Sequence, residues 1–441
     1  MEFSKTRLAW AGVLVISLTL SFFGALRGGY IGPDYNTHFA RLTEWSKVVD
    51  FSASNPPAYY LVGYGLFRVI GPRNAFPITL SLIQAGVNAL ALWCFFIYSE
   101  RRFRARLVHL ALVFFLTFLP VRVIHAATIG TDCTTIPLFV LVLFLFDKFL
   151  SDSISTPQNA ALLGLGLGIA NLTKYSFMSL LPAVLLLFIC IAWKRQWKPQ
   201  RFMSICALTL LLPSAVAGFS FWASSRVHGY NTEKHWLPKG MPADMSSKDL
   251  FSLKRDDRQL FQAPEYFKRQ ILAPHKHSYL ALSHMGIFTD PMNLFQDLSV
   301  PQTFGSVLIP DQKTRRPWKT LVMQISMSMG TLWTITALIG TALTLWLAMR
   351  HLVQDKLERE DLAAILGTAF FLLMFLPIPF VHGGTLFGYW TPRLILPSLL
   401  YFFWAGFLLI DRKIARQRQI VIITVFVLAL IQCTVEAAML I

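Results

Sequence analysis

About eleven long apolar stretches, separated by polar loops, run through this chain, and they leave it few folds to choose from. Crossing roughly 30 Å of hydrocarbon takes a helix of about 20 apolar residues. Of the 441 residues, 55% are hydrophobic and 14% charged, with a mean hydropathy of +0.53. Soluble domains carry about 25% charged residues. The chain therefore reads as an all-α polytopic membrane protein of about eleven transmembrane helices.

The expected spans are 8–26, 77–98, 107–122, 133–149, 159–172, 176–193, 202–223, 320–349, 362–380, 394–410 and 420–440. The fifth is too short to cross unaided, so 159–193 is expected to hold two half-buried helices joined by a tight loop. The eighth is long enough to tilt. The first run, Leu8 to Leu26, exceeds the usual apolar core of a signal peptide and no small-residue cleavage pattern follows, so it is expected to be the first span.

Orientation follows from the short loops. Lys5 and Arg7, Arg101, Arg102, Arg104 and Arg106, then Lys194, Arg195 and Lys198, and finally Arg412, Lys413, Arg416 and Arg418 all fall on one side, while the opposite short loops 123–132 and 381–391 hold no Lys or Arg. The positive-inside rule makes the first side cytoplasmic, with the N-terminus inside and the C-terminus outside. The expected location is a cell inner membrane, or the ER membrane in a eukaryote. The chain then divides into an N-terminal membrane module, 1–223, an external loop or small domain, 224–319, and C-terminal helices, 320–441. The first external loop, 27–76, is amphipathic. Phe39, Leu42 and Val49 form an apolar stripe at helical spacing, with Asp34, His38 and Arg41 on the neighbouring stripe. Ala58 to Ile70 is apolar but too short to span, which suits a helix lying along the interface.

The formal charge of +17 does not point to nucleic acid, because the basic residues sit in loops where they set topology. Cys94, Cys133, Cys190, Cys206 and Cys433 lie within or at the edge of apolar runs without metal-ligand spacing, so neither a disulfide framework nor a metal site is expected. His275, His277 and His284 occupy a polar segment and are expected to be solvated. Gly164, Gly166 and Gly168 lack the spacing of a nucleotide loop and are expected to let helices pack closely. Gln84 and Asn88, one turn apart, are expected to bond between helices rather than to substrate.

Polar chemistry gathers on the external side. Asp34, just past the first span, can take a proton from a hydroxyl, hold a divalent cation, or simply cap a helix. His38 lies one turn on. Asn55-Pro56-Pro57-Ala58-Tyr59-Tyr60 combines a rigid double proline, expected to be extended, with tyrosines suited to the membrane interface. Thr131-Asp132 opens the fourth span. Lys174, in Asn171-Leu172-Thr173-Lys174-Tyr175, is a cation in an otherwise uncharged stretch; it must find a partner, for which a lipid phosphate would serve, or snorkel to the headgroups. Arg393, before the tenth span, could grip a phosphate with two parallel hydrogen bonds.

In this order the clusters resemble the GT-C superfamily of integral-membrane glycosyltransferases, nearest the branch of protein mannosyltransferases and the lipid A aminoarabinose transferase. Asp34-Tyr35 is similar to the acidic motif of the first external loop, Asn55 to Tyr60 to the His-Pro-Pro-Leu-Tyr-Tyr segment, Thr131-Asp132 to the Ser/Thr-Asp at the fourth span, Leu172-Thr173-Lys174-Tyr175 to the Leu-Thr-Lys segment, and Pro392 to Pro397 to the late Arg-Tyr-x-x-Pro element. The likeness covers roughly 8–200 well and 385–410 loosely. The chain departs from it in lacking a second acid after Asp34 and in having Asn55 where the family has histidine. The resemblance implies a GT-C-like fold and transfer of a sugar from a polyprenyl-phosphate donor to a hydroxyl of a glycolipid, cell-envelope glycan or protein on the external face, with inversion. It implies Asp34 as catalytic base, with His38, Asn55, Tyr59, Tyr60, Asp132, Lys174, Tyr175 and Arg393 binding substrate, Lys174 and Arg393 on the departing phosphate. No resident cofactor follows from it, and a divalent cation stays open.

Two other enzyme or carrier classes compete. A ligase or polymerase of lipid-linked oligosaccharides is also polytopic and would use external arginines such as Arg255, Arg258, Arg269, Arg315 and Arg316. A transporter would show two similar halves and interrupted helices with polar residues near the midplane; the sequence holds no internal repeat. A scaffold subunit without catalysis fits the missing second acid.

Overall fold

In this computed structural model the described residues are 5–24, 35–48, 56–71, 75–151, 157–228, 253–254, 257–258, 278–289, 317–354, 356, 359–377, 391–414 and 419–440. Among them every regular element is helical. The helices are α1 (Lys5–Gly24), α2 (Tyr35–Thr43), α3 (Trp45–Val48), α4 (Ala58–Ile70), α5 (Ala75–Glu100), α6 (Arg106–Phe118), α7 (Pro120–Ala127), α8 (Thr135–Ser151), α9 (Pro157–Thr173), α10 (Leu180–Lys194), α11 (Pro199–His228), α12 (Tyr279–Phe288), α13 (Pro317–Val353), α14 (Arg359–Phe375), α15 (Thr391–Leu409) and α16 (Gln419–Leu440). Short 3-10 turns, Thr131–Thr134 and Tyr175–Ser179, precede α8 and α10. Each expected span overlaps a helix, the third being divided between α6 and α7. Seven are long and apolar enough to cross a membrane alone, and eight if the bent pair α6–α7 counts as one span. The protein is all-α and polytopic.

Helix contacts explain the glycines. A Cβ on Gly164 of α9 would strike the backbone of α11 at Leu208 and Thr209, and one on Gly168 would press on Leu212. Gly340 of α13 and Gly406 of α15 meet each other's backbones in the same way. Close approach replaces the hydrophobic drive that lipid cannot supply between helices. Elsewhere aromatic rings fill the centre: Phe115 of α6 contacts Phe288, Trp333, Phe403 and Phe407, drawn from α12, α13 and α15.

The third expected span is broken. α6 stops at Phe118, Leu119 turns to φ −51°, ψ 118°, and α7 starts again at Pro120, bent by 51° from α6. A residue before proline is pushed out of the helical region, and proline is at ease in a helix's first turn. The freed carbonyl of Thr117 is taken by the guanidinium of Arg122, which also meets the Ser17 hydroxyl of α1. Arg122 is 2% exposed. Its charge sits at the negative end of α6, where a cation is favoured.

Part of 224–319 belongs to the bundle. α12 packs against α13, α15 and α7, with Tyr279, Met285 and Phe288 fully buried. His284, expected to be solvated, instead bonds the Met327 carbonyl at 3.1 Å and the hydroxyls of Thr331 and Thr334. The segment reads as polar because its one short apolar run, Tyr279–Phe288, holds Ser283 and His284 and is flanked by charge.

One end of the bundle is tied by charges. Arg7 pairs with Glu100 at 3.2 Å, and Arg102 with Asp147 at 3.8 Å. The Asp411 carboxylate accepts the backbone N–H groups of Arg104 (2.9 Å) and Ala105 (2.8 Å). α6 begins after Ala105, an alanine that cannot cap its own helix, so a carboxylate from the π-helical turn Ile410–Ile414 that follows α15 does it. Asp411→Ala is expected to cost about 1–2 kcal/mol, read as a lower thermal midpoint of the purified protein.

Candidate active site

Helices α2, α3 and α4, from the segment expected to be the first external loop, fold onto the other end of the bundle. Leu42, Val48, Tyr59 and Tyr60 are buried with Phe76 and Leu80 of α5 and with Ile129 and Cys133 beside the 3-10 turn. Gly63 lets α2 lie close to α4, since a Cβ there would collide with Leu42. The single expected amphipathic helix is divided at Glu44 into α2 and α3. Pro57 has helical dihedrals, φ −81° and ψ −17°, rather than the expected extended ones, and caps α4. Tyr59 and Tyr60 lie inside this small core, 7% and 0% exposed.

His38 and Arg41 share a face of α2 and converge on Tyr60. His38 Nδ1 lies 2.6 Å from the Tyr60 hydroxyl, and the Arg41 guanidinium stands 3.8 Å over the Tyr60 ring. Arg41 also donates to the Lys47 carbonyl at 3.1 Å. The other side of His38 rests on Gly130, where a Cβ would lie 3.1 Å from Nε2. Gly130 leads into the 3-10 turn Thr131–Thr134.

That turn carries Asp132, whose carboxylate pairs with the Lys174 ammonium at the junction of α9 and α10. The side chains are 17% and 6% exposed. Lys174 therefore does not snorkel, and Asp132 spends its charge on the lysine rather than on a helix cap. Tyr175 follows directly and opens the next 3-10 turn. Tyr59 reaches the same region from below: its hydroxyl accepts the Gly130 N–H at 3.1 Å and the Gln84 amide at 2.6 Å. Asn88, one turn along α5, donates to the Cys133 carbonyl at 2.5 Å and to the Gln84 carbonyl at 3.1 Å. Gln84 and Asn88 thus bond between elements, as their spacing suggested. Burial, aided by Cys133 and Tyr60, holds the Tyr59 phenol well above its ordinary pKa of 10.0, so it serves as a neutral hydroxyl and not as a base.

Asp34 and Asn55 lie outside the described residues. Asp34 directly precedes Tyr35, the first residue of α2, one turn before His38. Arg393 is in the first turn of α15; its side chain is outside the described residues. The far end of α15 meets the start of α6 through Asp411, and α15 spans about 28 Å at 1.5 Å per residue, so Arg393 belongs to the site's end of the bundle. Among the described residues, no group of three or more His, Cys, Asp or Glu could hold a metal ion. Sequence reasoning missed Arg41 on Tyr60, the Tyr59–Gly130 tie and Arg122. The spacing of His38 and Arg41 signalled the first, and Pro120 the break that Arg122 serves.

Two solved structures are similar to this chain in fold. One is the protein O-mannosyltransferase complex of S. cerevisiae bound to the sugar donor, 15% identical, with a TM-score of 0.38 over 57% of this chain and 36% of that chain. The match thus spans about a third of the yeast chain's length. The other is ArnT from Cupriavidus metallidurans bound to undecaprenyl phosphate, 14% identical, with a TM-score of 0.37 over 92% of this chain and 78% of that chain. No family model and no curated protein matches the sequence.

Proposed function

We propose that the protein is a GT-C-type glycosyltransferase acting at the external membrane surface on a polyprenyl-phosphate-linked sugar, with inversion at the anomeric carbon. The observation that carries this reading is the convergence at one end of the bundle: His38 of the first loop rests on Gly130, two residues from the carboxylate that holds Lys174. Asp34, at the start of the same loop helix, takes the proton of the acceptor hydroxyl. The acceptor oxygen bonds to the anomeric carbon as the bond to the phosphate oxygen breaks, and the polyprenyl phosphate leaves with the bonding pair. Lys174 and Arg393 stabilise that departing charge, which fixed cations in a low-dielectric cleft do well. His38, Asn55, Tyr60, Asp132 and Tyr175 bind the acceptor and donor. An isoprenoid tail needs the surrounding helices as solvent, which accounts for an enzyme built in the membrane.

The test is transfer in nanodiscs. Labelled sugar from an undecaprenyl-phosphate donor is expected to pass to cell-envelope glycolipid, glycan or protein acceptors, releasing undecaprenyl phosphate. Sugar or lipid uptake into proteoliposomes with no acceptor labelled would end this reading in favour of a transporter.

A further inference from the structure

We propose that Tyr59 is a positioning residue: through the backbone of Gly130 it sets Asp132 against Lys174, with Asn88 fastening the same turn on its other side. The proposal deepens the glycosyltransferase reading, but its geometric half stands apart from it.

Two side-chain bonds straddle Asp132. Two residues before it, the Gly130 N–H is donated to the Tyr59 hydroxyl at 3.1 Å; one residue after it, the Cys133 carbonyl accepts from Asn88 at 2.5 Å. The anchors come from different elements, Tyr59 from α4 of the external loop and Asn88 from α5. Gln84 joins them, since its amide meets the Tyr59 hydroxyl and its carbonyl accepts from Asn88. Tyr59 is 7% exposed, Gln84 7% and Asn88 2%, so water cannot replace these bonds at low cost.

The turn's own bonds shape it without seating it against its neighbours: the Cys133 thiol donates to the Gly130 carbonyl at 3.0 Å, and the Thr134 and Thr135 hydroxyls donate to the Thr131 and Asp132 carbonyls at 2.6 and 2.8 Å. Tyr59 and Asn88 tie this 3-10 turn, 131–134, to α4 and α5, and such turns have poor hydrogen-bond geometry of their own. Meanwhile the pair it must hold is largely buried, with side chains 6% and 17% exposed. A shift of about 1 Å in a catalytic group can cost 10²-fold in rate. The Tyr59 hydroxyl therefore converts the seating of α4 into the position of Asp132. That hydroxyl is taken up by the Gly130 N–H and the Gln84 amide rather than offered to substrate as the sequence suggested, whereas the Tyr60 hydroxyl faces His38.

Zero-length crosslinking reads the pair directly. A carbodiimide activates the Asp132 carboxyl, Lys174 Nζ attacks, an amide forms, and the carboxyl oxygen leaves with the urea. Peptide mass spectrometry of the full-length protein in nanodiscs then gives the yield. Tyr59→Phe and Asn88→Leu are each expected to lower it at least fivefold. Tyr279→Phe, which removes another buried hydroxyl bond (to the Phe375 carbonyl, 3.0 Å), serves as the structural comparison and is expected to leave the yield unchanged at a similar loss of thermal midpoint. In the transfer assay, Tyr59→Phe is expected to lower kcat at least tenfold with the donor KM within twofold. An unchanged crosslink yield in both variants overturns the proposal, whatever the transfer assay gives. A lower yield with unchanged kcat overturns the link to catalysis. Absence of transfer by the wild-type protein overturns the enzymatic reading together with that link, while the crosslink still decides whether Tyr59 positions Asp132.

Discussion

Lys174→Met is expected to lower the unfolding free energy by about 3–5 kcal/mol, the usual cost of stranding one partner of a buried ion pair. The side chains of Lys174 and Asp132 are 6% and 17% exposed, so the abandoned carboxylate would recover little hydration. Neutralising both, as in Lys174→Met with Asp132→Leu, is expected to restore most of the loss, because paired charges and well-packed apolar groups of similar size are nearly equivalent in stability. Denaturant titration in mixed micelles measures the cycle; additive losses would mean that the two groups do not act as a pair. Transfer should not return with stability. The double variant folds but has no ammonium for the leaving phosphate, so its rate stays at that of Lys174→Met.

Asp34→Asn is expected to reduce sugar transfer by about 10²–10⁴-fold, the range that a general base contributes. The substitution is informative because asparagine caps a helix as well as aspartate does. If Asp34 only closed the start of α2, the variant would keep both fold and rate. A folded protein with His38 still against Tyr60 and little transfer assigns the loss to the proton acceptor; full activity removes Asp34 from the mechanism. Asp34→Glu, which keeps a base at altered reach, should fall between them.

The spans were legible because lipid demands runs of apolar residues, and α5, α8, α10 and α16 declare themselves in composition alone. Helix spacing likewise gave the shared face of His38 and Arg41, though not its target. What the sequence could not show was long-range pairing. Nothing near Lys174 names Asp132, 42 residues earlier, as its partner, and a lipid phosphate or the headgroups would serve it as well. The double proline was misjudged because Pro56-Pro57 was weighed by its rigidity, whereas Pro57 is compatible with helical φ and sits at the helix cap. α12 is hidden in the sequence, since a ten-residue run broken by Ser283 and His284 between charged flanks resembles a loop until α13 and α15 are there to cover it. In each case the missing information was a neighbour distant in the chain.

The carboxylate at the start of α6 arrives 306 residues after the amide it satisfies. A ribosome that has threaded α1 to α14 into the bilayer has therefore produced a bundle whose basic end is held by Arg7–Glu100 and Arg102–Asp147 but whose α6 start still lacks its carboxylate. Chains released before residue 411 should be handled by membrane quality control as immature, even though the polar cluster at the opposite pole is already encoded in their first 175 residues.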